Sequence, residues 1–160
     1  MKKKCIFKHK HHFTEQFPLY HLSEKNYDGQ TFSPRSMDKD RVMEGENWKT
    51  KRICVSKSID GAISALCDSM SMPYGLQLYV HIPINLDDLF LRNKVYQPST
   101  KQVPDAVVTD EFWLKDDTIW KCIGKIEVGH VRDDIDLTYE LDGDILSMDR
   151  FEWKWISQNV

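Results

Sequence analysis

Apolar and polar residues alternate with a period of two in several separate parts of the chain, a pattern typical of β-strands. The segment "RICVS", from Arg52 to Ser56, alternates in this way and is rich in β-branched residues. The segment "LQLYVHIPI" is the clearest buried strand and ends near Pro83, where a proline is tolerated. Near the C-terminus, Phe151, Trp153 and Trp155 occupy every second position of a last strand.

A helical period replaces the strand period directly after "RICVS". Apolar residues recur at i, i+3, i+4 and i+7 from Ile59 onward, which predicts an amphipathic helix to about Met70. Ser58 precedes this run as an N-cap, and Asp60 lies in the first turn, where the helix dipole favours an acid. The stretch from Arg52 to Cys67 therefore predicts a strand, a short turn and a helix.

The remaining elements are shorter. We predict a first strand over Phe17 to Ser23, a brief helical turn in "NLDDLFL" with Asn85 as its cap, and a hairpin around Asp142-Gly143. Three further strands are expected, at Ala106 to Thr109, Glu111 to Leu114 and Ile119 to Val128.

Between the first strand and "RICVS", turn-forming and charged residues dominate. Residues 24 to 51 are therefore expected to form a long, largely irregular loop, and loops of such length are often mobile or functional. That loop is a candidate lid. Strands outnumber helices, so the prediction is an α+β domain with a mostly antiparallel, split sheet, one early helix and this long N-terminal loop.

Length and composition fit one domain. The chain has 160 residues, and we expect residues 1–16 to form a basic, flexible N-terminus and residues 17–160 a single α+β domain. The four cysteines form no CxxC pair, which favours a reducing compartment. The longest apolar run is far below the roughly 20 residues that span a bilayer, so we expect a cytoplasmic protein without a membrane segment.

Charge and motifs exclude several classes of function. With 22 basic and 25 acidic residues, and acids around most tryptophans, we expect no nucleic-acid partner. Cys5 and the nearby histidines match no zinc-site spacing, so no metal is expected. The sequence contains no phosphate-binding loop, dinucleotide fingerprint, zinc-protease motif or nucleophile elbow. A cysteine–histidine pair is disfavoured because Cys54 and Cys67 are both predicted away from a helix N-terminus.

The order of the remaining motifs carries a resemblance. "LYHLS" is followed by a long polar loop, "RICVSKSIDGAISAL", "LQLYVHIPI" and then a strand that opens with an acid in "TDEFWLKDDTIWKCIGKIEV". This layout resembles the ADP-ribosyltransferase fold, in which a split antiparallel sheet holds NAD in the cleft between its halves. The resemblance covers about Leu19 to Val128 and places His21, Ser56 and Glu111 at the positions of the functional residues.

The resemblance implies a role for each residue. Glu111 would hydrogen-bond the nicotinamide ribose as an oxocarbenium-like state develops, and Ser56 would orient that ribose or steady the glutamate. His21 would bind the adenosine-side ribose as a neutral imidazole. Tyr20 and Tyr79 would offer aromatic faces to nicotinamide, and the corner of Ser56 and Ser58 would form a wall of the nucleotide cleft.

The sequence departs from the family pattern at two positions, and two other functions remain as alternatives. "RICVS" lacks the tyrosine common in the histidine-bearing branch, and Thr109 stands where members that modify arginine carry a second acid. The NAD hypothesis, with ADP-ribose transfer to an unknown acceptor or NAD cleavage, competes with a small non-catalytic module that binds a host protein, for example a phage or mobile-element inhibitor. A degenerate member of the fold that binds a nucleotide without turnover lies between the two.

Overall fold

A computed structural model describes residues 18–67, 74–134 and 137–158. Its strands are β1 (His21–Ser23), β2 (Thr31–Phe32), β3 (Ile53–Ser56), β4 (Gln77–Pro83), β5 (Val95–Tyr96), β6 (Glu111–Leu114), β7 (Thr118–Val131), β8 (Leu137–Leu141), β9 (Asp144–Met148) and β10 (Phe151–Gln158). Its helices are α1 (Ile59–Cys67), α2 (Leu86–Leu91) and α3 (Ala106–Thr109), with a 3-10 turn at Lys39–Arg41.

The strands form two sheets and a separate hairpin within the described residues. The larger sheet has the order β1-β4-β7-β10, with β2 paired to another part of β7, and the smaller sheet has the order β3-β6-β5. Strands β8 and β9 pair with each other, and all of these pairings are antiparallel. The predicted class, an α+β domain with mostly antiparallel sheets and few helices, is confirmed.

Helix α1 covers one side of the larger sheet. Its apolar residues Ile59, Ala62 and Ile63 are buried in a cluster with residues of β1, β4, β7 and β10. The predicted cap is confirmed, because the Gly61 amide donates to Ser58 Oγ at 2.9 Å. The expected helix end at Met70 lies outside the described residues.

A second apolar cluster joins the two sheets. It contains buried residues of β3, β6 and α2 together with Leu19 and Trp120. Strand β3 thus contributes Ile53 and Val55 to this cluster, while its alternate residues lie on the opposite face.

The predicted strand at Ala106 to Thr109 is wrong, because these residues form the short helix α3. The Asp105 carbonyl accepts the amides of Val108 at 2.9 Å and Thr109 at 3.0 Å, so the backbone polar groups are satisfied locally. The chain then turns at Asp110, whose φ of 53° is left-handed, and enters β6. The local hydrogen bonds to Asp105 and the left-handed turn at Asp110 thus accompany a helix in spite of the strand propensity of the two valines.

The other local predictions differ in outcome: the first strand, expected from Phe17, is described only at His21–Ser23, whereas the hairpin and most later elements are confirmed. Asp142 and Gly143 have φ values of 52° and 86° and connect β8 to β9, as a two-residue hairpin turn with left-handed residues requires. Strands β4, β6, β7 and β10 and helix α2 lie in the predicted segments. Asn85 precedes α2, but its side chain bonds Asp117 and Ile119 rather than capping the helix.

The long loop over residues 24 to 51 holds only β2 and the 3-10 turn as regular structure. It is fixed to the domain at several points, since the Gly29 amide donates to the Trp120 carbonyl at 2.8 Å and the Asn47 amide to the Gln102 carbonyl at 2.7 Å. A lid motion of the whole loop would break these bonds. The basic segment 1–16 and Phe17 lie outside the described residues.

Within the described ranges, every helix is too short or too polar to traverse a bilayer.

Candidate functional site

The two sheets meet where three predicted functional segments lie side by side. Tyr20 pairs with Ser56 through two main-chain hydrogen bonds of 2.7 and 3.0 Å, and Ser56 is the direct cross-strand partner of Glu111. We name Tyr20, Ser56 and Glu111 the junction. It brings together residues that are 36 and 55 positions apart in the sequence.

Ser56 braces this corner. Its side chain is buried and its hydroxyl donates to the Thr109 carbonyl at 2.7 Å and accepts the Ser58 amide at 3.2 Å. The first bond ties the end of β3 to the turn before β6, and the second fixes the connection from β3 to α1. The hydroxyl therefore fixes the position at which Glu111 begins its strand.

Ser58 has a second partner besides the helix. Its hydroxyl donates to Asp110 Oδ2 at 2.6 Å, and Lys57 Nζ lies 3.7 Å from the same carboxylate. Asp110 is thus engaged by its neighbours across the corner. The Glu111 carboxylate is engaged separately, by the Trp113 indole nitrogen on the same strand.

Glu111 is half-buried on the face of the smaller sheet that it shares with Arg52 and Trp113. Its carboxylate accepts a hydrogen bond of 2.6 Å from the indole nitrogen of Trp113. Burial raises the pKa of Glu111, and the hydrogen bond from Trp113 opposes this. A carboxylate held in this way interacts strongly with developing positive charge because water screens it little.

His21 and Tyr79 lie in a different environment from the junction. Consecutive strand residues point to opposite faces, so His21 faces away from its neighbour Tyr20. The His21 ring stacks on Trp120, with centroids 5.1 Å apart, and contacts Phe32 and His81. The structure therefore brings Tyr20, Ser56, Ser58 and Glu111 together, but it places His21 and Tyr79 on the other side of the sheet.

The aromatic surroundings keep His21 neutral. Burial, followed by the nearby His81, lowers the pKa of His21 to about 4. His81 is itself buried, and its Nε2 accepts the Tyr27 amide at 2.9 Å, so its proton resides on Nδ1. The His21 imidazole is therefore packed against other aromatic rings.

This packing predicts an acid-sensitive fold. The unfolded chain protonates His21 near its ordinary pKa of 6.5, while the folded chain does so only near 4. The contribution of His21 to the free energy of unfolding is therefore fully present above pH 6.5 and is lost as the pH falls to 4. This pKa shift corresponds to a loss of at most about 3 kcal/mol in the free energy of unfolding. We expect His21→Phe, which keeps an aromatic ring, to lose less unfolding free energy between pH 7 and pH 4 than the wild type in urea titrations.

His130 provides the matched control for this measurement. It is exposed and stacks on Tyr74 at the surface, with centroids 4.1 Å apart. His130→Phe should retain the pH dependence of the wild type. An identical pH dependence in His21→Phe would show that His21 does not cause the acid sensitivity.

Other candidate chemistry is weaker in the described residues. Burial, with Glu111 as the next cause, raises the pKa of Cys54 to about 12, so this thiol stays protonated and is a poor nucleophile. Within the part of the chain that the structure covers, no three His, Cys, Asp or Glu side chains converge on a possible metal position.

Three residues around the junction were not singled out as functional by sequence reasoning: Arg52, Trp113 and Gly61. Gly61 lets α1 approach the corner, because an added Cβ would lie 2.6 Å from Ser56 Oγ and even closer to the Thr109 carbonyl oxygen. Arg52 directly precedes β3 and lies on the face of Cys54 and Trp113, opposite to the core residues Ile53 and Val55. The alternation marks that face as the non-core one, so the residue pattern carries no signal that Arg52 is buried.

Comparison of the chain with protein-family models, with characterised proteins and with solved structures found no match.

Proposed function

We propose that the chain is an ADP-ribosyltransferase-like protein that binds NAD and either transfers ADP-ribose to an unknown acceptor or cleaves NAD. The observation that carries this proposal is the junction itself. Tyr20, Ser56 and Glu111 come from three segments that carry the resemblance. Tyr20, directly before β1, pairs with Ser56 of β3, which pairs with Glu111 of β6.

The chemistry assigns the reactive position to Glu111. Breaking the bond between nicotinamide and ribose generates an oxocarbenium-like state, and a fixed carboxylate stabilises that state more than it stabilises the bound substrate. Trp113 fixes the carboxylate of Glu111 by its hydrogen bond. Tyr20, half-exposed beside Ser56, supplies the aromatic face for nicotinamide.

The roles of the other predicted residues change with the geometry. Ser56 acts as the brace that positions Glu111 rather than as a ligand of the ribose, because both of its hydrogen bonds are internal. Ser58 caps α1 and holds Asp110. His21 and Tyr79 lie on the opposite side of the sheet and have no assigned role at the junction.

The test is turnover of NAD. We expect wild-type protein to consume NAD labelled in the nicotinamide ring, and Glu111→Gln to do so about 10²- to 10³-fold more slowly, the loss seen when one electrostatic contact to a transition state is removed. Glu140→Gln, an exposed acid on β8, should match the wild type. Equal rates for the wild type and Glu111→Gln would exclude Glu111 as the catalytic group, and binding without turnover would indicate the degenerate form of the fold.

A non-catalytic protein-interaction module is the second candidate, and one observation favours it. The β8–β9 hairpin exposes Ile145 to 78% and Leu146 to 37%, on a two-stranded unit outside both sheets. Exposed apolar residues on such a projection are suited to binding a host protein. Affinity capture from a host lysate should then return a partner that is lost with Ile145→Ser and retained with Ile156→Ser, an exposed position on β10.

A further inference from the structure

A buried set of side chains connects Glu111 to the long loop. Trp113 is buried completely, its indole nitrogen donates to Glu111 Oε1, and its ring face is covered by the Arg52 guanidinium at 4.3 Å from the centroid. A single tryptophan therefore contacts both an acid and a base, through its edge and its face.

Arg52 is held mainly by the loop. Its Nη2 lies 2.7 Å from Glu46 Oε1, and its Nη1 donates to the Asn47 carbonyl at 2.5 Å. The Arg52 side chain is fully buried, while that of Glu46 is 14% exposed. Glu46 thus takes the direct ion pair, and Glu111 interacts with the same guanidinium at longer range.

We infer that Trp113, Arg52 and Glu46 form a positioning network for Glu111, in which Trp113 fixes the carboxylate and Glu46 holds the arginine away from it. Through Glu46, the loop over residues 24 to 51 controls how much positive charge reaches Glu111. The catalytic consequence rests on the proposed function, whereas the network itself does not.

The electrostatic environment of Glu111 is simple enough to test. The groups that act on its carboxylate are Trp113 on its own strand, Cys54 on β3, Arg52 directly before β3, and Glu46 on the loop. The Cys54 thiol is neutral because its pKa is about 12. Arg52 and Glu46 are therefore the two charges whose balance the network sets.

Titration of Glu111 tests the network without any ligand. The side-chain carboxyl carbon of Glu111 is followed by ¹³C NMR as pH is varied, in the wild type and in two variants. Trp113→Phe removes the N–H donor to the carboxylate and should move the titration midpoint of Glu111 to higher pH. Glu46→Gln removes a nearby negative charge and releases Arg52 toward Glu111, so it should move the midpoint to lower pH.

The chain contains a matched control. Trp153 also donates its indole N–H to a carboxylate, that of Asp60 at 3.1 Å, in another part of the domain. Trp153→Phe should leave the Glu111 midpoint unchanged. Because Trp113 lies in the core and its replacement can disturb folding, Glu46→Gln on the loop supplies an independent test with the opposite sign.

The outcomes separate this inference from the proposed function. Unchanged midpoints in both variants, or shifts in the same direction, would overturn the network whatever the protein does with NAD. A higher Glu111 midpoint in Trp113→Phe and a lower one in Glu46→Gln, together with no NAD turnover, would support the network and refute the catalytic proposal. If NAD is consumed, the acid limb of kcat/KM should move in the same direction as the Glu111 midpoint in each variant, a response that a purely structural role would not produce.

Discussion

Arg52→Ala should lower the free energy of unfolding by about 3 to 5 kcal/mol, the cost of removing one partner from a buried ion pair. The substitution leaves Glu46 without its cation and the Asn47 carbonyl without its donor, and it uncovers the face of Trp113. Urea denaturation at neutral pH measures this loss directly. The long loop should also become susceptible to proteases, since its C-terminal end is anchored through Arg52.

Arg92 is the matched control for this prediction. It pairs with Asp88 and Asp116, but its side chain is 42% exposed. Water and salt screen exposed pairs, so Arg92→Ala should change stability little. Equal losses for Arg52→Ala and Arg92→Ala would show that Arg52 does not anchor the loop.

Gly61→Ala should destabilise the protein by about 1 to 3 kcal/mol, as overpacking of a tight contact does. Helix propensity alone gives the opposite sign, since alanine is favoured over glycine by about 1 kcal/mol inside a helix. The structure reverses the sign because a Cβ at this position collides with the Thr109 carbonyl and with Ser56 Oγ. α1 would have to move away from the turn that precedes Glu111.

Ala65 in the same helix separates packing from propensity. It is exposed, so Ala65→Gly should cost only the propensity difference of about 1 kcal/mol. Thermal unfolding of the two variants should therefore show that glycine is preferred at position 61 and alanine at position 65. A higher Tm for Gly61→Ala than for the wild type would contradict the close contact between α1 and the corner.

The local pattern of the sequence predicted most elements of the fold. The alternation in "RICVS", the cap at Ser58 and the turn at Asp142-Gly143 each depend on a few neighbouring residues, and each is confirmed. The strand expected at Ala106 to Thr109 failed because its conformation depends on Asp105 and Asp110, which satisfy and terminate a helical turn. The pairing of Tyr20 with Ser56 could not be predicted from local pattern either, because it joins two separate sheets.

The candidate site was predicted in part. The sequence order identified Ser56 and Glu111, which are neighbours, but it grouped His21 with them although β-strand alternation turns His21 toward Trp120. Arg52 and Trp113 were overlooked because their importance comes from contacts made across strands and with the loop. Such contacts depend on register and on loop path, which residue pattern alone does not specify.

The most direct measurement is an NMR titration of the ¹⁵N-labelled protein with NAD. Binding at the junction predicts that amide shifts concentrate on Tyr20, on the corner from Ser56 to Ser58 and on the strand that begins at Glu111, and that ADP-ribose reproduces only part of them. Millimolar NAD that shifts no amide, or that shifts only residues of the β8–β9 hairpin, would contradict a nucleotide site where β1, β3 and β6 meet.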